Sequence, residues 1–264
     1  MPTFCPLFSG SSGNSTYIAT PRGGILIDAG VSAKRVCEAL TARGIDPATL
    51  QAIFVTHEHV DHTAGVRVLA KKFDLPVIAS YGTLSAIEST MDAGIRLAEM
   101  PAEGIELAGM RVTSFSLSHD AAQPTGYTVT FADDRRLAIA TDTGILTEDV
   151  RRALRGCETV LLESNHDVTM LKNGPYPYPL KQRILGAYGH LSNDTAASLL
   201  PYLVESGTTR VVLGHLSKEN NTPKQAELTA RSRLAAAGLK EHLDYRLSVA
   251  SPVSADPVDR KSVV

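Results

Sequence analysis

The stretch FVTHEHVDHTAG, Phe54–Gly65, decides how this chain is read. Phe54, Val55 and Thr56 have the character of a buried strand, yet they run straight into His57, Glu58, His59, Asp61 and His62. A strand end needs no such concentration of imidazole and carboxylate in order to fold. A metal site does: the two donor types together suit Zn²⁺, Mn²⁺ or Fe, and no thiol is placed to join them. Side chains two apart in an extended segment share a side, so His57 and His59 can bind one ion. Asp61 and His62 follow where a turn into a helix can aim them at a second.

The same punctuation recurs along the chain. IFVTH ends in His57, FSLSH in His119, AIATD in Asp142 and RVVLGH in His215. Each ion needs more ligands than Phe54–Gly65 supplies; His119 and His215 can complete the two sites, and Asp142 can bridge them. Paired cations about 3.5–4 Å apart clamp a substrate oxygen and bring a bound water towards hydroxide near neutral pH. A lone histidine after a strand is ordinarily a hydrogen-bonded structural residue, and that is the role expected of His242.

The rest of the sequence bounds this reading. The 264 residues are 43% hydrophobic and 20% charged, which supports a sizeable core and argues against global disorder. A net charge of -2 excludes polyanion binding through overall charge, so contact with nucleic acid requires a local basic patch. Cys5, Cys37 and Cys157 are widely spaced and lack CxxC spacing, as in a reduced protein with buried thiols. The start MPTFCPLFSGSSGN has no basic run followed by an apolar one, and no apolar stretch approaches the roughly 18 residues of a membrane span. A cytoplasmic location without membrane contact is expected, and nothing in the sequence fixes an oligomeric state.

STYIAT and GILIDAG flank turn residues and read as a hairpin; Ser32, Thr147 and Ser192 or Asn193 are helix starts. Hairpin strands come first and helix–strand alternation follows. A doubly wound parallel sheet would need a helix after nearly every strand. The expected class is therefore α/β, an αββα four-layer sandwich of two mixed sheets with helices outside. One domain is expected over residues 1–250, with a flexible tail over 251–264.

In these residues the sequence resembles the metallo-β-lactamase-fold hydrolases: Asp28 in LIDAG, HEHVDH, His119, Asp142 in ATDTG and His215 in LGH match that superfamily's motifs in order. The resemblance implies that His57, His59 and His119 hold one metal and Asp61, His62 and His215 the other, with Asp142 bridging and Asp28 steadying the HxHxDH loop. SGSSGNS at the start, ESNHD at Glu163–Asp167, GHLSN at Gly189–Asn193 and HLSKENNTP from His215 resemble the YycJ/WalJ group, which is linked to exonuclease action on DNA. Similarity to the tRNA 3′-processing endonucleases implies that Glu163 and His190 cooperate, with His190 as the acid; Asp61 is counted with them as catalytic. No long insertion able to form a tRNA-gripping arm is present.

The implied activity is a phosphodiesterase using two divalent ions, Zn²⁺ or Mn²⁺, on nucleic acid, most simply a 5′-to-3′ DNA exonuclease. Substrate contacts are expected from Asn14, Asn165 and Ser192 in the matching stretches. They are also expected from Tyr176, Tyr178, Lys181 and Arg183 in KNGPYPYPLKQR (Lys172–Arg183), whose prolines should keep it extended and non-helical. The competing readings are a small-molecule hydrolase of the same fold, cleaving a thioester, lactone or cyclic phosphodiester, and a catalytically dead scaffold. The filled ligand positions argue against the scaffold.

Overall fold

The computed structural model describes residues 2–251. The tail expected from residue 251 lies, apart from Ser251, outside the described residues. The chain divides into two compact units, one holding residues 2–114, 121–125 and Ser251 of those described, the other residues 115–120 and 126–250.

In the first unit β1 (Thr3–Phe8), β2 (Ser15–Thr20) and β3 (Gly23–Ile27) run antiparallel, with Thr16 opposite Ile27. Helix α1 (Ala33–Thr41) leads to β4 (Leu50–Phe54), which pairs parallel with β3. Ile25–Ile27 and Ala52–Phe54 are buried throughout, the continuous apolar runs that parallel strands show when both faces are covered. The short α2 (Val60–Thr63) and α3 (Val66–Phe73) precede β5 (Val77–Ala79), then α4 (Tyr81–Ile87) and β6 (Leu97–Glu99), both strands parallel to β4. Val36 and Leu40 of α1 and Val66 and Leu69 of α3 join Leu26, Ile53 and Val55 in one core. Each such side chain contributes about 2 kcal/mol by leaving water. A hairpin of β7 (Ile105–Leu107) and β8 (Met110–Ser116) turns on Ala108 and Gly109, whose φ of 53° and 71° suit a two-residue hairpin turn.

In the second unit β9 (Thr125–Phe131) is antiparallel to β10 (Arg136–Ala140). Helix α5 (Glu148–Leu154), started by Thr147 as expected, returns the chain to β11 (Thr159–Glu163), parallel to β10. Helices α6 (Val168–Asn173), α7 (Tyr178–Leu185) and α8 (Asn193–Glu205) precede β12 (Arg210–Gly214), and α9 (Pro223–Ala236) precedes β13 (Arg246–Val249). β12 is parallel to both β11 and β13. Both units thus carry a mixed sheet with helices, as the hairpin-then-alternation pattern required.

Helix α7 corrects one expectation. The prolines do not keep residues 172–183 extended: Lys172 lies in α6, and Tyr178–Leu185 is helical. Pro179 falls in the first turn, where a helix uses no N–H from that position and the fixed φ of proline already suits it. Only residues 174–177 bridge the two helices.

The sharpest turns follow strand ends. Asp28 after β3, Asp142 after β10 and His215 after β12 adopt φ of 62°, 61° and 55°. Asp, Asn and His are the residues that tolerate this left-handed region best, at a cost of order 1–3 kcal/mol that persists only where neighbours fix it.

Candidate functional site

In the first unit the loop after β4 is organised by Thr56. Its hydroxyl donates to Asp28 Oδ2 at 2.9 Å and accepts from His57 Nδ1 at 3.0 Å, and its N–H donates to Asp28 Oδ1 at 2.8 Å. Asp28 also takes His62 Nδ1–H at 2.7 Å, so both imidazoles spend Nδ1 on the scaffold and keep the acceptor lone pair on Nε2. His57 Nε2 and His59 Nδ1 face each other at 3.0 Å with their rings edge to face. Two nitrogens bound to one tetrahedral ion at about 2.0–2.1 Å would lie about 3.3 Å apart, so this pair fits a shared cation. Helix α2 carries Asp61 and His62, with His62 Nε2 3.6 Å from Asp61 Oδ2.

Asn14 ties this loop to the turn after β1. Its Nδ2 donates to His62 Nε2 at 3.1 Å and reaches Asp61 Oδ2 at 3.5 Å, while its Oδ1 accepts from Gly10 N–H at 3.0 Å. The Asn14 N–H donates to the Asp61 carbonyl at 2.8 Å. Gly30 makes the approach possible, since a Cβ there would meet the Asp61 carbonyl oxygen at 1.6 Å. Glu58, which has no place among the ligands, accepts the Ala122 N–H at 2.7 Å.

In the second unit one buried carboxylate organises the donors. Glu163 Oε1 accepts Nδ1–H from both His190 and His215 at 2.8 Å, and Oε2 accepts the N–H of Thr143 at 2.9 Å and of Leu191 at 3.1 Å. Burial alone would raise its pKa; the charge and hydrogen bonds of His190, with those of His215, more than offset this and hold it ionised well below the usual carboxylate range. Asp142 Oδ1 lies 3.4 Å from His215 Nδ1 and 3.8 Å from His190 Nδ1. Asp142, Glu163, His190 and His215 each place one ligand-capable atom within 4.8 Å of the others. His119 donates Nδ1–H to the Gly189 carbonyl at 3.1 Å and sets Nε2 3.9 Å from Asp142 Oδ1. Burial pushes its basicity down, against the charge of Asp142, which favours the neutral, metal-binding imidazole. Nitrogen and carboxylate donors without thiolate in both units suit a divalent ion of the Zn²⁺ or Mn²⁺ kind.

The residues expected to meet substrate have identifiable partners. Asn165 Nδ2 donates to the His215 carbonyl at 3.0 Å, and Ser192 caps α8 through the Thr195 N–H at 3.1 Å. Lys181 Nζ donates to the carbonyls of Lys172 and Gly174, closing the α6–α7 turn. Arg183 pairs with Asp120, and Tyr178 is exposed while Tyr176 is partly so. Sequence reasoning missed Thr56 as a hub and the second bond from Glu163 to His215. Thr56 had a signal, being the residue before HEHVDH; the Glu163–His215 bond spans 52 positions and had none.

The fold and these donor clusters define a metal-dependent hydrolase. Residues 24–216 match the model of the β-lactamase superfamily domain. The exodeoxyribonuclease WalJ of Streptococcus pneumoniae serotype 2 (strain D39) is 37% identical over 257 residues, 96% of this chain and 95% of the relative. The exodeoxyribonuclease YycJ of Bacillus anthracis is 35% identical over 238 residues, 89% of this chain and 90% of the relative. This chain belongs to the WalJ/YycJ family of the β-lactamase superfamily. Its fold matches the metallo-β-lactamase fold protein YhfI from Bacillus subtilis with a TM-score of 0.72 at 13% identity, over 96% of this chain and 97% of that one.

Proposed function

We propose that this protein is a metal-dependent exonuclease that degrades DNA from a 5′ end in the cytoplasm. The observation that carries the reading is the Glu163 oxygen shared by His190 and His215 beside Asp142, in a chain whose relatives are exodeoxyribonucleases over nearly its whole length. In this reading residues 1–250 act as one domain. His57, His59 and His119 would hold one divalent ion and Asp61, His62 and His215 the other, with Asp142 available to both; the ions would be Zn²⁺ or Mn²⁺. Bound there, they would supply a hydroxide nucleophile near neutral pH and charge stabilisation for the phosphoryl oxygens.

The chain's own work is orientation and proton handling. Asp28, Thr56 and Asn14 fix the imidazoles and Asp61. With Nδ1–H of His190 committed to Glu163, Nε2 is the ring atom left to carry the proton that the leaving oxygen needs. Asn165 and Ser192 hold the loops around this histidine, while Tyr176, Tyr178, Lys181 and Arg183 border the path of the strand.

A panel of labelled single- and double-stranded DNA and RNA, bis-p-nitrophenyl phosphate and a thioester, each with Zn²⁺ or Mn²⁺, tests the reading. DNA shortened with metal present is the expected result; hydrolysis of the thioester alone contradicts it. Among the described residues no helix is long and apolar enough to cross a membrane.

A further inference from the structure

Tyr188 is a large aromatic residue left 66% exposed on a backbone that is otherwise held fast. Ser118 Oγ donates to the Ala187 carbonyl at 2.9 Å, the Asp120 N–H to the Tyr188 carbonyl at 3.2 Å, and His119 Nδ1–H to the Gly189 carbonyl at 3.1 Å. Glycines let these segments close: a Cβ on Gly144 would meet the Ala187 oxygen at 2.3 Å, and one on Gly189 the Ile184 oxygen at 2.2 Å. Tyr188 therefore stands at a fixed place two residues before His190, within about 7 Å between Cα atoms.

Its surroundings are of two kinds. Ile145, next to Gly144, is 43% exposed, and its carbonyl is held by the Thr143 hydroxyl at 2.9 Å. Arg183 is anchored on Asp120, the residue whose N–H holds Tyr188, and its side chain remains 53% exposed. An exposed aromatic ring two residues from a histidine able to give a proton, on a segment bonded to the residue that pairs with a guanidinium, matches the parts of a nucleotide. A base stacks on the ring and a phosphate meets the guanidinium.

We propose that Tyr188 is the stacking platform for the base adjoining the scissile phosphate, with Ile145 extending the apolar surface and Arg183 receiving the neighbouring phosphate. The inference rests on the nucleic-acid reading above. It makes recognition at this position indifferent to base identity, since every base offers a π-face.

The test compares wild type, Tyr188→Ala and Tyr188→Phe on end-labelled DNA and on the same DNA with abasic terminal nucleotides. Metal content and the circular dichroism spectrum are measured to verify that each variant folds. Tyr188→Ala should raise KM on intact DNA about 5- to 150-fold, the factor equivalent to one stacked base. Tyr188→Phe should keep the wild-type value, and on abasic ends wild type and Tyr188→Ala should share one KM. Wild-type digestion of DNA with an unaltered KM in Tyr188→Ala overturns the stacking role, as does an equal loss on both substrates. Wild-type protein that leaves DNA intact overturns the underlying reading, and this inference with it.

Discussion

Glu163 Oε1 takes the Nδ1–H of His190 at 2.8 Å from a position with no exposure to solvent. The same oxygen takes the Nδ1–H of His215, so one carboxylate sets the direction of a proton-carrying ring and of a candidate ligand ring. The two partners should therefore fail differently. His190→Ala should cut turnover by about 10²–10⁴-fold with metal content unchanged. Glu163→Gln should lower both, because its one oxygen can still accept from either the two imidazoles or the Thr143 and Leu191 N–H groups, while its N–H₂ opposes the other pair of donors. Equal metal content in the two variants, read by elemental analysis, would refute the shared-oxygen account.

Asn14 should matter to half of the donors only. Its N–H donates to the Asp61 carbonyl, and its amide reaches Asp61 Oδ2 and His62 Nε2. Asn14→Ala should weaken one of two metal-binding steps by about 10–100-fold, the usual effect of removing a group that orients a ligand. Calorimetric titration of the chelated protein should then show one strong and one weak site; two unaltered sites contradict the prediction.

His166 should make the metal-free protein acid-sensitive. It is 1% exposed, neither ring nitrogen has a hydrogen-bond partner among the described residues, and burial lowers its pKa from 6.5 to about 4. A depressed folded-state value means that the unfolded chain binds the proton first. Stability is therefore full above about 6.5 and falls as pH drops from there towards 4, by about 3 kcal/mol at 1.36 kcal/mol per unit. His166→Phe should flatten that limb in urea denaturation of the chelated protein. Parallel curves for the two proteins between those pH values would count against it.

Much of this was legible because it is local. Ser32, Thr147 and Ser192 cap the helices expected of them, and His57, His119, Asp142 and His215 follow β4, β8, β10 and β12 as the strand-end pattern indicated. What escaped depends on contacts across the chain. Glu58, an ionisable group without a ligand role, turns out to anchor Ala122, 64 positions away. Asn14 was expected to meet substrate; the bonds of its amide to Asp61 and His62, 47 and 48 positions away, had no signal in the sequence. The residue 172–183 segment was misread because prolines were counted without asking which falls in a first helical turn.

The central claim is metal-dependent removal of nucleotides from a DNA end. Digestion of DNA labelled at the 5′ or the 3′ terminus, with Mn²⁺ or Zn²⁺ and after chelation, tests it most directly. The account predicts immediate release of the 5′ label as mononucleotide, a 3′-labelled ladder that shortens progressively, and neither event without metal. Internal cuts that leave both labels on long fragments, or digestion that survives chelation, would contradict it.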